Sequence, residues 1–142
     1  MNYLLDTCVV SELTRPKPHP GVIDWIRSES EASLHLSVLT IGELRKGIER
    51  LPASRKRSQI EAWLNNELRL RFSGRVRPVD DEVAERWGLE SAKAEQLGTP
   101  LPVIDGLLAA TGLVHGMTIV TRNTKDIQQT GVRLLNPWEA RG

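Results

Sequence analysis

The first thirteen residues read MNYLLDTCVVSEL (1–13), and the placement of one carboxylate in them decides the fold. Tyr3, Leu4 and Leu5 form an apolar run that ends at Asp6; Val9 and Val10 then resume it on a helical spacing. A strand over residues 2–5, followed by a helix from Thr7 to Thr14, places Asp6 at the strand's carboxyl end. A buried, unpaired carboxylate costs several kcal/mol unless a partner compensates it. Asp6 is therefore either a helix cap or one wall of a site that receives a cation.

Working outward, the same alternation recurs. Arg15-Pro16-Lys17-Pro18-His19-Pro20 cannot continue a helix. Gly21–Glu29 has Val22, Trp25 and Ile26 on one helical face, and Leu34–Ser37 reads as a second strand. Thr40 is placed to cap a helix with Ile41, Leu44, Ile48 and Leu51 on one stripe, Glu43 completing a capping box. Ser54 to Phe72 reads as one long amphipathic helix, and Arg75–Val79 as a third strand. Asp80-Asp81-Glu82 begins an acidic helix running to Leu97. Pro102 suits the first turn of another, ending near His115-Gly116. Met117–Thr121 is a strand, Asn123 or Thr124 opens a short helix, and Val132–Leu135 is the last strand. Short apolar strands separated by helices, without hairpin turns, specify an α/β fold with a mainly parallel sheet covered on both faces.

The 142 residues suffice for one domain, 1–142, that needs no staples. Cys8 is the single cysteine; no intramolecular disulfide is possible, and a cytoplasmic protein is expected. Neither a signal peptide nor a membrane span is expected. One cysteine and three histidines make a zinc site a poor fit. The net charge of +1 hides an asymmetry: residues 45–77 hold ten Lys/Arg against three acids. That segment, including Arg45 and Lys46, is either a solvated helix face or a footprint for a polyanion.

In an open parallel sheet, ligands bind beyond the carboxyl ends of the strands. Asp6 lies at such an end, and Asn123 and Asp126 follow another. Asp105 sits near the start of PVIDGLLAATGLVHG (102–116), a helix apolar on nearly every side and therefore expected to be buried. The helix dipole does not offset burial of its charge, so an Arg, a metal or a polar cleft is required. Glu43 flanks its apolar stripe and can point into a cleft. Each acid alone has an ordinary explanation as a cap or an ion pair. Separated carboxylates without His or Cys suit a hard cation such as Mg²⁺ or Mn²⁺. Without it, mutual repulsion raises at least one of their pKa values.

MNYLLDTCVVSEL, LSVLTIGELRKGIERL, PLPVIDGLLAATGLVHGMTIVTRNTKDI and LLNPWE, in that order, resemble the PIN-domain toxins of the VapC/FitB type. The resemblance implies an α/β/α sandwich around a five-stranded sheet. It also implies an endoribonuclease that hydrolyses RNA phosphodiesters through a metal-activated water. By motif, the implied acids are Asp6, Glu43 and Asp105, with Mg²⁺ as cofactor and Mn²⁺ as a possible substitute. The fourth acidic position of the family falls on Asn123, which carries no charge, so a second metal is expected to be held more weakly unless Asp126 or water substitutes. Thr7 and Thr121 match hydroxyl residues that border such sites. An antitoxin partner, a homodimer and contact with DNA only through the antitoxin are implied as well, with apolar faces at Val22–Ile26 and Ile60–Leu68 as candidate contacts. Asn123 also supports an alternative, a PIN-like module that has lost catalysis and acts by binding its antitoxin in an operator-bound complex. A phosphatase of the haloacid-dehalogenase type needs a second Asp two residues after the first, where this chain has Cys8.

Overall fold

The computed structural model describes residues 1–139. The strands are β1 (Tyr3–Leu5), β2 (Leu34–Ser37), β3 (Val76–Arg77), β4 (Thr118–Val120) and β5 (Leu134–Leu135). They form one sheet in the order β3-β2-β1-β4-β5, and every pairing is parallel. The expected "mainly parallel" sheet is parallel throughout. The helices are α1 (Thr7–Glu12), α2 (Pro20–Ser28), α3 (Val38–Arg50), α4 (Arg55–Ala62), α5 (Arg69–Arg71), α6 (Asp81–Gln96) and α7 (Val103–His115).

The alternation of side chains along the strands divides the core. Tyr3, Leu5, Leu34, Leu36 and Val120 pack with Val9, Val10, Val22, Trp25, Ile48 and Leu64 on one face. Leu4 and Ile119 pack with Leu108, Ala109 and Met117 on the other. Adjacent residues of one strand thus feed opposite layers, as a period of two requires. The result is three layers: α1 to α4 and the turn that follows α4 against one face, and α7, with α6 packed on it, against the other.

Two expectations need correction. The cap of α3 is Ser37, whose hydroxyl accepts from the Leu39 N–H at 3.0 Å; Thr40 is fully buried inside the helix. Strand β2 passes into α3 without a loop, so its last residue takes the capping role and no Thr40–Glu43 box forms. The stretch 55–71 is also not one uniform α-helix, since Trp63–Leu68 is a π turn between α4 and α5. Ile60, Leu64, Leu68 and Phe72 recur every four residues, and an α-helix of 3.6 residues per turn would rotate them off the core. The wider π turn keeps Leu64, Leu68 and Phe72 at 2% exposure or less. The apolar faces of 22–26 and 60–68 are accordingly spent largely on the core, with Ile60 and Trp63 partly open.

Gly112 fixes how closely α7 lies on the sheet. A Cβ there would meet Ile119 Cδ1 at 2.8 Å, Val132 Cγ2 at 2.9 Å and the Met117 carbonyl at 3.0 Å. Gly112→Ala is expected to destabilise by about 1–3 kcal/mol, although Ala is the better helix former. Gly47, in α3, has nothing within 4 Å of an added Cβ, and Gly47→Ala should stabilise by about 0.5–1 kcal/mol. Urea midpoints of the two variants should move in opposite directions.

Candidate active site

From β1 the chain moves outward through β2 to β3, then returns to β4 on the other side of β1. The crevice at this switch lies beyond the carboxyl ends of β1 and β4, where Asp6 and residues 121–126 stand. Helix α3 starts from this edge because it follows β2 directly. Helix α7 returns the chain to β4, so its first turn, carrying Asp105, stands at the same edge.

Asp6 is 8% exposed and is held on both oxygens. Its Oδ1 accepts from the Thr7 N–H at 2.7 Å, which makes Asp6 the N-cap of α1. Its Oδ2 accepts from the Thr121 hydroxyl at 2.8 Å. The Thr121 oxygen in turn accepts from the Asn123 N–H at 3.0 Å. Cap and site wall are therefore one residue. Glu43 Oε1 accepts from the Thr7 hydroxyl at 2.5 Å, so Thr7 links α1 to α3 across the crevice. Cys8 faces Asp6 Oδ2 and Thr121 Oγ1, both at 3.8 Å; burial, and then the Asp6 charge, raise its thiol pKa.

Asp105 is partly exposed rather than buried. The sides of α7 at Leu108, Ala109 and Ala110 are covered, while its first turn opens into the crevice. The pKa of Asp105 is pushed up to about 6, first by loss of solvent and then by the charges of Asp6, Asp126 and Glu43. The four acids therefore share one electrostatic environment, and the repulsion expected of clustered carboxylates falls on Asp105. Asp126, exposed on the short 3-10 turn Thr124–Asp126, takes part in it. Asn123 is exposed and enters the Thr121 hydrogen bond through its backbone, not its side chain.

Among the described residues none of these four acids is in an ion pair. Nor do three or more His, Cys, Asp or Glu stand close enough together to ligate a metal as they are. The donor set is nonetheless all oxygen, negatively charged and without a compensating cation, which fits a hard dication.

Much of the basic segment is already engaged. Arg45 binds Glu61 and Asn65, Arg57 binds Glu49, and Arg71 and Arg75 bind Glu31, lowering the Glu31 pKa. Lys46 and Arg50 are exposed and line a groove of about 510 Å³ together with Thr7, Glu43 and Ile104. Of the ten basic residues, these two share a groove with Glu43. Thr7 and Thr121, expected only to border the site, hydrogen-bond to the Glu43 and Asp6 carboxylates.

The model of the PIN domain matches residues 3–132. The chain belongs to the PIN-domain family. It is 35% identical over 136 residues, 96% of this chain and 97% of the other, to the VapC ribonuclease Y4jK of Sinorhizobium fredii. To the toxin FitB of Neisseria gonorrhoeae it is 34% identical over 135 residues, with 95% and 97% of the two chains covered. A solved structure of FitAB bound to a DNA fragment superposes with a TM-score of 0.93 at 32% identity, covering 99% of this chain and 98% of that one. As a PIN domain, the chain has the expected α/β/α architecture around a five-stranded parallel sheet. Among the described residues no helix is long and apolar enough to cross a membrane.

Proposed function

We propose that this PIN domain is a metal-dependent endoribonuclease and the toxin of a toxin–antitoxin pair. The observation that carries the reading is the set of uncompensated acids on one edge: Asp6, Glu43 and Asp105, with Asp126 beside them. Asp6, Glu43 and Asp105 would hold Mg²⁺ or Mn²⁺, with Asp126 and Asn123 as outer contributors. When bound, such a cation acidifies a water and stabilises charge on the phosphate oxygens. The chain's own residues do the rest. Thr121 fixes the Asp6 carboxylate and Thr7 fixes that of Glu43, so neither acid has to be ordered when substrate arrives. Asp105 carries a proton in the metal-free site below pH about 6 and releases it above. Lys46 and Arg50 offset the phosphate charge of the RNA strand, and the first turns of α3 and α7 add their positive dipole ends. The neutral Asn123 favours one tightly held cation over two.

An apolar groove of about 740 Å³, lined by Leu13, Leu51, Ile60 and Trp63 among others, offers an antitoxin segment a seat on the α1, α3 and α4 side. FitB's presence in a DNA-bound FitAB structure supports an antitoxin partner and indirect DNA contact here, in a cytoplasmic, homodimeric toxin.

The test is cleavage of a total-RNA pool by purified, antitoxin-free protein with Mn²⁺, with Mg²⁺ and with EDTA. Fragments are expected with either metal and none with EDTA. Folded protein that cuts with neither metal would favour the rival reading, a binding module without catalysis, for which the uncharged Asn123 is the supporting observation.

A further inference from the structure

Immediately beyond Thr121, which holds Asp6, the chain places Arg122, whose side chain the acids do not capture. Among the described residues Arg122 forms no ion pair. The guanidinium instead lies over the Trp138 ring, 5.4 Å from its centroid, within cation–π range. That ring is itself fixed. The Thr121 N–H donates to the Leu135 carbonyl at 3.0 Å, which brings residues 136–138 beside Arg122. Asn136 Oδ1 then accepts from the Trp138 N–H at 2.9 Å. Gly21 leaves room for the turn, since a Cβ there would stand 2.6 Å from the Pro137 carbonyl.

We infer that Arg122, braced on Trp138, is a substrate-phosphate contact on the β4–β5 side of the acids, opposite Lys46 and Arg50. The inference rests on the nuclease reading and deepens it. Arg122 lies two residues past the end of β4, the strand paired with β1, which ends just before Asp6; paired strands run about 4.8 Å apart. A cation inside the acidic cluster would neutralise it and displace a metal. A cation held alongside, by an aromatic ring and not by a carboxylate, keeps its full charge for the strand entering the crevice. Trp138 is a positioning residue that acts through Arg122.

The experiment uses the full chain and a short labelled single-stranded RNA. Cleavage kinetics are joined by binding titrations at several salt concentrations in an Asp6→Asn background. Arg122→Gln is expected to raise KM about tenfold with a much smaller change in kcat, and to reduce the log–log salt slope by about 0.7, one single-strand phosphate contact. Arg122→Lys should restore the slope but only part of KM. Trp138→Leu should reproduce the KM rise, and Trp138→Phe, which keeps a ring, should not. Arg122→Gln with the wild-type KM and salt slope, while the wild type cuts RNA, overturns the inference. A wild type that does not cut overturns the nuclease reading; the binding arm then still decides Arg122, because an unchanged slope rejects it and a reduced slope supports it.

Discussion

Asp6→Asn is expected to lower metal-dependent RNA cleavage by at least a hundredfold, roughly what removing one well-placed charged or polar group from a reacting site does. The substitution is close to isosteric. Oδ1 can still accept from the Thr7 N–H, so the cap of α1 and the fold survive. What is lost is one negative charge beside Thr121, at the carboxyl ends of β1 and β4. Thr121→Val separates this effect from mere orientation. It keeps the Asp6 charge and removes the hydroxyl 2.8 Å from Oδ2, and a loss of about ten- to a hundredfold is expected, as for a group that orients a metal ligand. Cleavage rates of both variants with Mn²⁺ and Mg²⁺, beside their thermal transitions, check the order. An Asp6→Asn protein as active as the wild type would remove the central acid from the mechanism.

How much of this was legible depended on whether a residue's role is set locally. Asp6 could be read because a carboxylate ending an apolar run is conspicuous in one dimension. The strand–helix alternation gave the topology class, since apolar strands without hairpin turns leave few other folds. The role of Glu43 was obscured by Thr40, a plausible cap three residues earlier; only the direct passage from β2 into α3 shows Ser37 in that place. The π turn was hidden because a four-residue spacing is close enough to 3.6 to pass as α over two turns. Strands β3 and β5 are two residues long each, although the expected ranges 75–79 and 132–135 are longer; Arg75 and Arg133 still accept a backbone hydrogen bond from the neighbouring strand, and Pro78 has no N–H to continue β3. The bracing of Asp6 by Thr121 spans 115 residues of sequence, and no local pattern announces a contact of that separation. No local pattern marks Arg122, because the ring that holds it follows the next strand, β5.

Asp105→Asn is expected to stabilise the metal-free protein at neutral pH while abolishing its response to divalent cations. In the folded protein Asp105 titrates near 6, against 3.8 for an ordinary Asp. Below about pH 4 the carboxyl is protonated in both folded and unfolded chains and costs nothing. Between about 4 and 6 the unfolded chain releases its proton first, and native stability falls. Above 6 the whole penalty is present, up to about 3 kcal/mol, and less to the extent that solvent screens the partly exposed group. An amide at this position carries no charge to repel Asp6, Asp126 and Glu43. In EDTA at pH 7.5 the variant should therefore melt higher than the wild type, by roughly 5–10 °C for the full penalty, and the gap should narrow to about a third at pH 4.5 and close near pH 3. Mg²⁺ or Mn²⁺ binds the folded form and should raise the wild-type transition at pH 7.5. At pH 5 the Asp105 proton competes with the metal and the rise should be small. The variant should show little rise at either pH. Thermal melts over these pH values, with EDTA and with each metal, read all of this directly. A variant no more stable than the wild type at pH 7.5 would mean that Asp105 is not strained by its neighbours. A site relaxed in that way would have no electrostatic need for a cation, so the same melts that test one carboxylate also test why the acids gather on this edge.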